Sequence, residues 1–182
     1  MAAPDARSLR RTMIDALPPW RTALAGSLAW AGLMGAASVL KLLQSGWVSP
    51  DRMREVGLLF AAGGLIAFPV GLCLARLLSR GRADAAFAAA LLAFAVSSIA
   101  AISLLFAVHY RLYYASWHGA PFSIEWTFQF VFTTLAALYQ FLVLGTRLFL
   151  PFGLIALFAV SLWHVRTFDR RRPTNVEESK PL

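Results

Sequence analysis

Four long runs of apolar residues dominate this chain, and none has an acidic residue in its interior. They are Ala23–Leu43, Val56–Leu78, Ala85–Val108 and a last run within Thr127–Trp163. A helix rises about 1.5 Å per residue, so about 20 residues cross the roughly 30 Å hydrocarbon core of a bilayer. Because lipid offers no partners to backbone polar groups, such runs must be helical there. The sequence therefore predicts an all-α integral membrane protein built as a four-helix transmembrane bundle.

Composition supports this class. The chain is 59% hydrophobic and 14% charged, whereas soluble domains average about 45–50% hydrophobic and about 25% charged residues.

We expect a basic cytoplasmic segment over 1–21 that forms a short amphipathic surface helix or a disordered tail. The transmembrane bundle follows over 22–168, and a disordered cytoplasmic tail over 169–182. The predicted spans are about 23–43, 56–78, 85–108 and 139–163, with an outer aromatic segment over 109–138.

The basic residues predict the orientation of the bundle. With four spans and the amino terminus inside, twelve of the 17 Lys and Arg residues lie on the cytoplasmic side, as the positive-inside rule expects. The sequence thus predicts a multi-pass protein of a bacterial inner membrane with both termini in the cytoplasm. Nucleic acid is not an expected partner, because the basic residues flank the apolar runs and do not form a stripe on a soluble fold.

The last apolar run is too long for one span, and three placements compete. In the favoured one, residues 139–163 cross and residues 122–138 form an aromatic helix along the outer surface. In the second, residues 126–146 cross and residues 148–163 dip back as a re-entrant piece. In the third, both halves cross around a tight turn at 145–147, which would export the basic tail. A single helix bent at Gly145 and Pro151 combines the first two, because proline interrupts helical hydrogen bonding.

Arg147 lies inside this run, and its role depends on the placement. In the favoured placement it lies about 6 Å outward of the span centre. A charge at the bilayer centre costs about 2.5–3.5 kcal/mol on insertion scales unless it snorkels or is paired. No span contains an acid, so a partner would be a carbonyl, a hydroxyl, a lipid phosphate or an acid of another protein. In the second placement Arg147 is an ordinary boundary residue.

Small residues recur at every fourth position in three spans, and close approach of small side chains is what drives helix association in lipid. They predict a tight bundle and suggest an interface with another subunit. The predicted helix-packing residues are Ser27, Ala31 and Gly35 in the first span, Ala67, Gly71 and Ala75 in the second, and Ala85, Ala89, Ala93, Ser97 and Ala101 in the third.

Reactive residue types concentrate in the outer loop with its flanks, His109–Trp126. This stretch predicts an aromatic, cationic surface for a lipid headgroup or another ligand, while an ordinary aromatic belt with a structural turn is the simpler interpretation. A metal site formed by two histidines and Glu125 has no recognisable ligand spacing. The candidate ligand or lipid residues are His109, Arg111, Tyr113, Trp117, His118, Glu125, Trp126 and Arg147.

Catalytic chemistry is not expected. No serine or cysteine nucleophile has a histidine and an acid nearby, the spans lack buried carboxylates and paired haem histidines, and Cys73 is the single cysteine. We therefore expect no enzyme activity, no catalytic residue, no metal and no cofactor.

Three functions remain open. The first is a non-catalytic accessory or scaffold subunit of a larger membrane complex, whose partners are membrane lipids and other membrane-protein subunits, in a hetero- or homo-oligomer. The second is a lipid- or quinone-binding protein that uses the outer aromatic loop with Arg147. The third is a small accessory subunit of a transporter. Its layout is similar to that of the small subunits of tripartite, substrate-binding-protein-dependent transporters, and the similarity concerns layout alone.

Overall fold

The computed structural model describes residues 17–46, 49–79 and 83–169, without the side chains of residues 83, 84, 168 and 169. These ranges contain five α-helices: α1 (Trp20–Gln44), α2 (Pro50–Ser79), α3 (Ala83–Tyr114), α4 (Ile124–Val143) and α5 (Phe152–Asp169). Two short 3-10 segments, Ala115–Trp117 and Gly145–Phe149, flank α4. Most of the predicted amino-terminal segment (1–21) and carboxy-terminal tail (169–182), together with Trp47, Arg80 and Arg82, lie outside the described residues.

The predicted helical class is confirmed. Within the described ranges there is no β-strand, and four apolar helical segments are long enough to cross a membrane. These are Trp20–Gln44, Pro50–Ser79, Ala85–Trp117 and Ile124–Phe149, while α5 is apolar but shorter. The chain is therefore built as a membrane protein.

Helix α2 approaches both α1 and α3 closely at glycine and other small residues. A Cβ added at Gly64 of α2 would lie 3.0 Å from the carbonyl oxygen of Trp30 on α1, and one at Gly71 would lie 2.7 Å from Ser97 Oγ on α3. Gly35 of α1 likewise faces the Gly57 carbonyl of α2. Contacts later in one helix meet positions earlier in the next, as Gly35 with Gly57 and Trp30 with Gly64 do, so α2 runs antiparallel to both α1 and α3.

The predicted small-residue positions face the inside of this chain. Eight of the eleven are buried and three half-buried, the latter being Ala31, Ala85 and Ala101. The ridges are thus used to pack α1, α2 and α3 against one another, and they do not leave a smooth outer surface for another subunit.

Aromatic residues fill the centre of the three-helix contact. Phe94 of α3 is fully buried, and its ring centroid lies 5.6 Å from Trp30 and 5.4 Å from Phe68. The Trp30 indole N–H donates a hydrogen bond of 3.0 Å to Ser98 Oγ. A buried indole needs such an acceptor, so this bond fixes α1 against α3 at one height.

The last apolar run does not form one continuous helix over 139–163. Helix α4 ends at Val143, the 3-10 segment follows, and α5 begins after Pro151. Proline has no N–H and holds the preceding residue in an extended conformation; Leu150 accordingly has φ −95° and ψ 134°. The break falls at Gly145 and Pro151, where the sequence indicated a bend, and helix α4 covers much of the predicted surface segment.

Helices α4 and α5 pass along the bundle one after the other. Phe141 of α4 lies 6.1 Å from Phe106 near the end of α3, whereas Phe158 of α5 lies 6.0 Å from Phe87 near its start. Between them Phe149 packs 5.3 Å from Phe60 of α2. In the described part of the chain both helices pack on α3 and hardly touch each other. This geometry disfavours a tight hairpin at residues 145–147.

Candidate functional site

Arg111, in the last turn of α3, is stacked on two aromatic rings of α4. Its guanidinium carbon lies 3.8 Å from the Phe130 ring centroid and 5.1 Å from that of Trp126. Residues four apart lie on one helical face, so both rings turn towards α3. A cation over an aromatic face gains about 0.5–1 kcal/mol when exposed and about 2 or more when desolvated. The stack joins the end of α3 to the beginning of α4.

The loop between the helices is held in place by three short-range contacts. Ser123 Oγ accepts the Trp126 N–H at 3.0 Å and so caps α4. The Gly119 N–H donates to Gln129 Oε1 at 2.8 Å. The Glu125 carboxylate lies beside Gly119, where an added Cβ would be 3.4 Å from Oε2. The loop therefore presents its side chains from a fixed backbone.

The positive charge of Arg111 has no counter-ion in the described part of the chain. The one ion pair in these ranges joins Arg52 and Glu55 at 3.6 Å, both exposed. Within the same ranges Arg111 Nη1 and His118 Nδ1 are buried nitrogens without a hydrogen-bond partner. The end of α3 thus carries one uncompensated cation, and the adjoining loop carries a buried histidine nitrogen without a hydrogen-bond partner.

Four further rings surround the end of α3. Tyr110 and Tyr114 have centroids 4.6 Å apart, and Trp117 lies 5.5 Å from Tyr114 and 5.6 Å from Tyr113. Tyr113 and Trp117 are mostly exposed. Tyrosine and tryptophan favour the headgroup depth of a membrane, because one end of each ring is apolar and the other polar.

The structure brings together some of the predicted site residues and separates others. Arg111 and Trp126 are in contact, and His118 and Glu125 belong to the loop that precedes α4. Tyr113 and Trp117 lie in the ring cluster. His109 is exposed on α3, and Arg147 is exposed in the 3-10 segment beyond the far end of α4. Among the described residues, no three His, Cys, Asp or Glu side chains group as metal ligands would.

Phe130 and Gln129 belong to the site, and sequence reasoning missed both. The signal for them is their spacing from Trp126: once α4 is known to begin at Ile124, Phe130 falls one turn further on the same face. That start is encoded by Ser123, a residue type that commonly caps helices.

The opposite side of α4 is an exposed apolar stripe. In the apolar stretch that contains α4, only 11% of the residues are buried, whereas the buried share is 33–44% in the other three apolar stretches. Its large side chains recur every three or four residues and are 55–80% exposed. We define the α4 face as Ile124, Phe128, Phe132, Leu135, Tyr139 and Leu142.

Two polar side chains border the α4 face near its end. Gln140 and Arg147 are both exposed, and neither side chain has a hydrogen-bond partner in the described part of the chain. The neighbouring Phe149 packs on Phe60, which lies four residues inside the predicted span that begins at Val56. If the predicted span beginning at Val56 marks the membrane boundary, Phe149, two residues after Arg147, is expected about 6 Å inside it.

The chain matches no protein-family model, no curated protein and no solved structure at a significant level.

Proposed function

We propose that this protein is a non-catalytic, multi-pass subunit of a larger membrane complex, and that it binds a transmembrane helix of another protein on the α4 face. The charge bias favours an orientation with both termini in the cytoplasm, and the richness in alanine and in arginine over lysine favours a bacterial inner membrane. The observation that carries the proposal is the combination of the exposed stripe with the unpartnered polar groups of Gln140 and Arg147 at its margin.

The spacing of the α4 face suits another helix. Its residues follow one another at intervals of four, four, three, four and three positions. Such spacing forms a continuous ridge along one side of a helix, and a second helix can pack against that ridge at a shallow crossing angle. Aromatic side chains make up half of it, and they offer rigid projections that an opposing helix can accommodate between its own side chains. Lipid tails would cover this stripe equally well, so the stripe alone does not select a protein partner.

The polar margin does favour a protein. A glutamine amide and a guanidinium at membrane depth gain partners from another helix, whereas lipid tails offer none. Arginine can snorkel to a phosphate from about 6 Å depth, but the shorter Gln140 side chain is less able to do so. The expected partner helix therefore carries a carboxylate opposite Arg147.

A second copy of this chain would not supply that carboxylate. All nine acidic residues lie outside the predicted spans, so at the depth of Arg147 the acid has to come from a different protein. The partner proposed here is consequently a heterologous membrane protein with an intramembrane Asp or Glu.

Site-specific photo-crosslinking in the native membrane tests the proposal. A benzophenone amino acid at Phe132 should give one discrete protein adduct, whose crosslinked segment contains an intramembrane Asp or Glu. The matched control is the same amino acid at Leu28, which is comparably exposed on α1 and should give no discrete protein adduct.

Charge variants decide whether the adduct reports the proposed contact. Arg147→Glu and Gln140→Leu should each weaken the Phe132 adduct, whereas Arg147→Lys should retain it. In the Arg147→Glu background, replacing the partner's acid by arginine should restore the adduct. Three results would contradict the proposal. The adduct could contain a second copy of this chain, it could contain lipid only, or its yield could be unchanged by Arg147→Glu.

A further inference from the structure

We propose that Arg111, stacked on Phe130 and Trp126, forms a binding site for a phosphate group, carried either by a phospholipid headgroup or by a soluble phosphate ester. This site goes beyond the proposed function, because the two rings lie on the side of α4 that faces α3, away from the α4 face.

The stack prepares the guanidinium for an anion. The group is planar and all its N–H donors lie in that plane. The rings at 3.8 and 5.1 Å cover its face and leave its edge as the direction for hydrogen bonds. Arg111 as a whole is half-buried, and its Nη1 atom lies on the buried side. Such an edge matches two oxygens of one phosphate, which a lysine ammonium does not.

The charge balance of the site calls for an anion. Arg111 has no ion pair or hydrogen bond in the described ranges, and its Nη1 atom is buried. A buried donor without an acceptor is costly, especially on a charged group. Glu125 lies in the adjoining loop, yet it rests beside Gly119 and does not pair with Arg111. The structure thus keeps the one nearby acid of the loop from neutralising this cation.

His118 supplies a second polar group in the loop that joins α3 to α4. Its Nδ1 atom is also buried without a partner in the described part of the chain. The Gly119–Gln129 hydrogen bond attaches the next residue of the loop to α4, immediately before Phe130 in sequence. The same contact therefore brings His118 to the turn of α4 on which Arg111 stacks.

The surroundings favour phosphate among anions. The ring cluster of Tyr110, Tyr113, Tyr114 and Trp117 has the composition of an interfacial belt. Such belts lie at the depth of lipid headgroups, where phosphate is the predominant anion. Arg54 offers a contrasting cation in the same chain, since no ring stacks on it in the described ranges and it is exposed.

Native mass spectrometry of the full chain in detergent tests the lipid source. Dioleoyl phosphatidylglycerol is the probe, and dioleoylglycerol, which lacks the phosphate, is the control lipid. We expect specific binding of the phospholipid, with an apparent affinity that falls about tenfold or more in Arg111→Gln, since a hydrogen bond to a charged group is lost. Arg111→Lys should bind at an intermediate level, and Arg54→Gln should bind as the unaltered protein does.

Two further measurements separate the remaining outcomes. Phe130→Leu keeps the charge and removes the principal ring, so it should also weaken binding while the melting temperature shows that the bundle is folded.

Calorimetric titration with glycerol 3-phosphate tests the soluble source. Arg111-dependent binding of glycerol 3-phosphate without phospholipid preference assigns the site to a soluble ester. If neither probe binds in an Arg111-dependent manner, or if Arg54→Gln weakens binding as much as Arg111→Gln, the inference is overturned.

Discussion

Gly64→Leu in α2 is expected to separate α1 from α2 and to lower the melting temperature of the purified protein markedly. A Cβ at this position meets the Trp30 carbonyl oxygen at 3.0 Å and Ala31 Cα at 3.1 Å. These are backbone atoms, so no side-chain rotation can make room. Overpacking usually costs about 1–3 kcal/mol and sometimes more, and we expect the upper end because a whole helix must move.

Gly32→Leu is the matched control for this prediction. Gly32 lies in the adjacent helix α1, and a Cβ there would meet nothing within 4 Å. The same chemical change should leave the melting temperature nearly unchanged or raise it, because leucine has the higher helix propensity. Equal melting temperatures for the two variants in one detergent would contradict the close packing of α1 on α2.

Phe94→Ala has the second large expected effect. The ring is fully buried between Trp30 and Phe68, so its removal leaves a cavity where three helices meet. In water-surrounded cores such a change costs about 3–5 kcal/mol. Here we expect about 2–3 kcal/mol, below that range, because lipid tails also solvate the ring when helices separate. Denaturation by a titrated harsh detergent gives the difference.

The control for Phe94→Ala is the same substitution on the α4 face. Phe128 is 60% exposed, so Phe128→Ala should change stability by only a few tenths of a kcal/mol, as surface substitutions generally do. A loss at Phe128 as large as that at Phe94 would place the core of the bundle elsewhere.

The first three helices were predictable because hydrophobic runs of membrane length have few alternatives. Helix α1 covers the predicted span 23–43 and begins at Trp20, directly after Pro18 and Pro19. Helix α3 continues six residues past its predicted end at Val108, because a helix need not stop where the lipid does. The small-residue pattern indicated close packing, although periodicity could not specify which helices share each ridge.

The end of the chain was harder to predict, because residues 127–163 are apolar almost throughout and offer few signals for helix ends. Pro151 marked the break, but Ser123, whose capping fixes the start of α4, was not used. The stack of Arg111 on Phe130 depends on how α3 and α4 face each other across a nine-residue connection. No local pattern reports such an arrangement.

Labelling of single cysteines from one side of the membrane tests most directly whether α4 and α5 together make one crossing. In a Cys73→Ala background, Ser116→Cys lies at the exposed end of α3 and Arg166→Cys near the end of α5. An impermeant maleimide applied to intact cells should label Ser116→Cys and should reach Arg166→Cys only after permeabilisation. Labelling of both cysteines at the same rate in intact cells would contradict the single crossing and the orientation built on it.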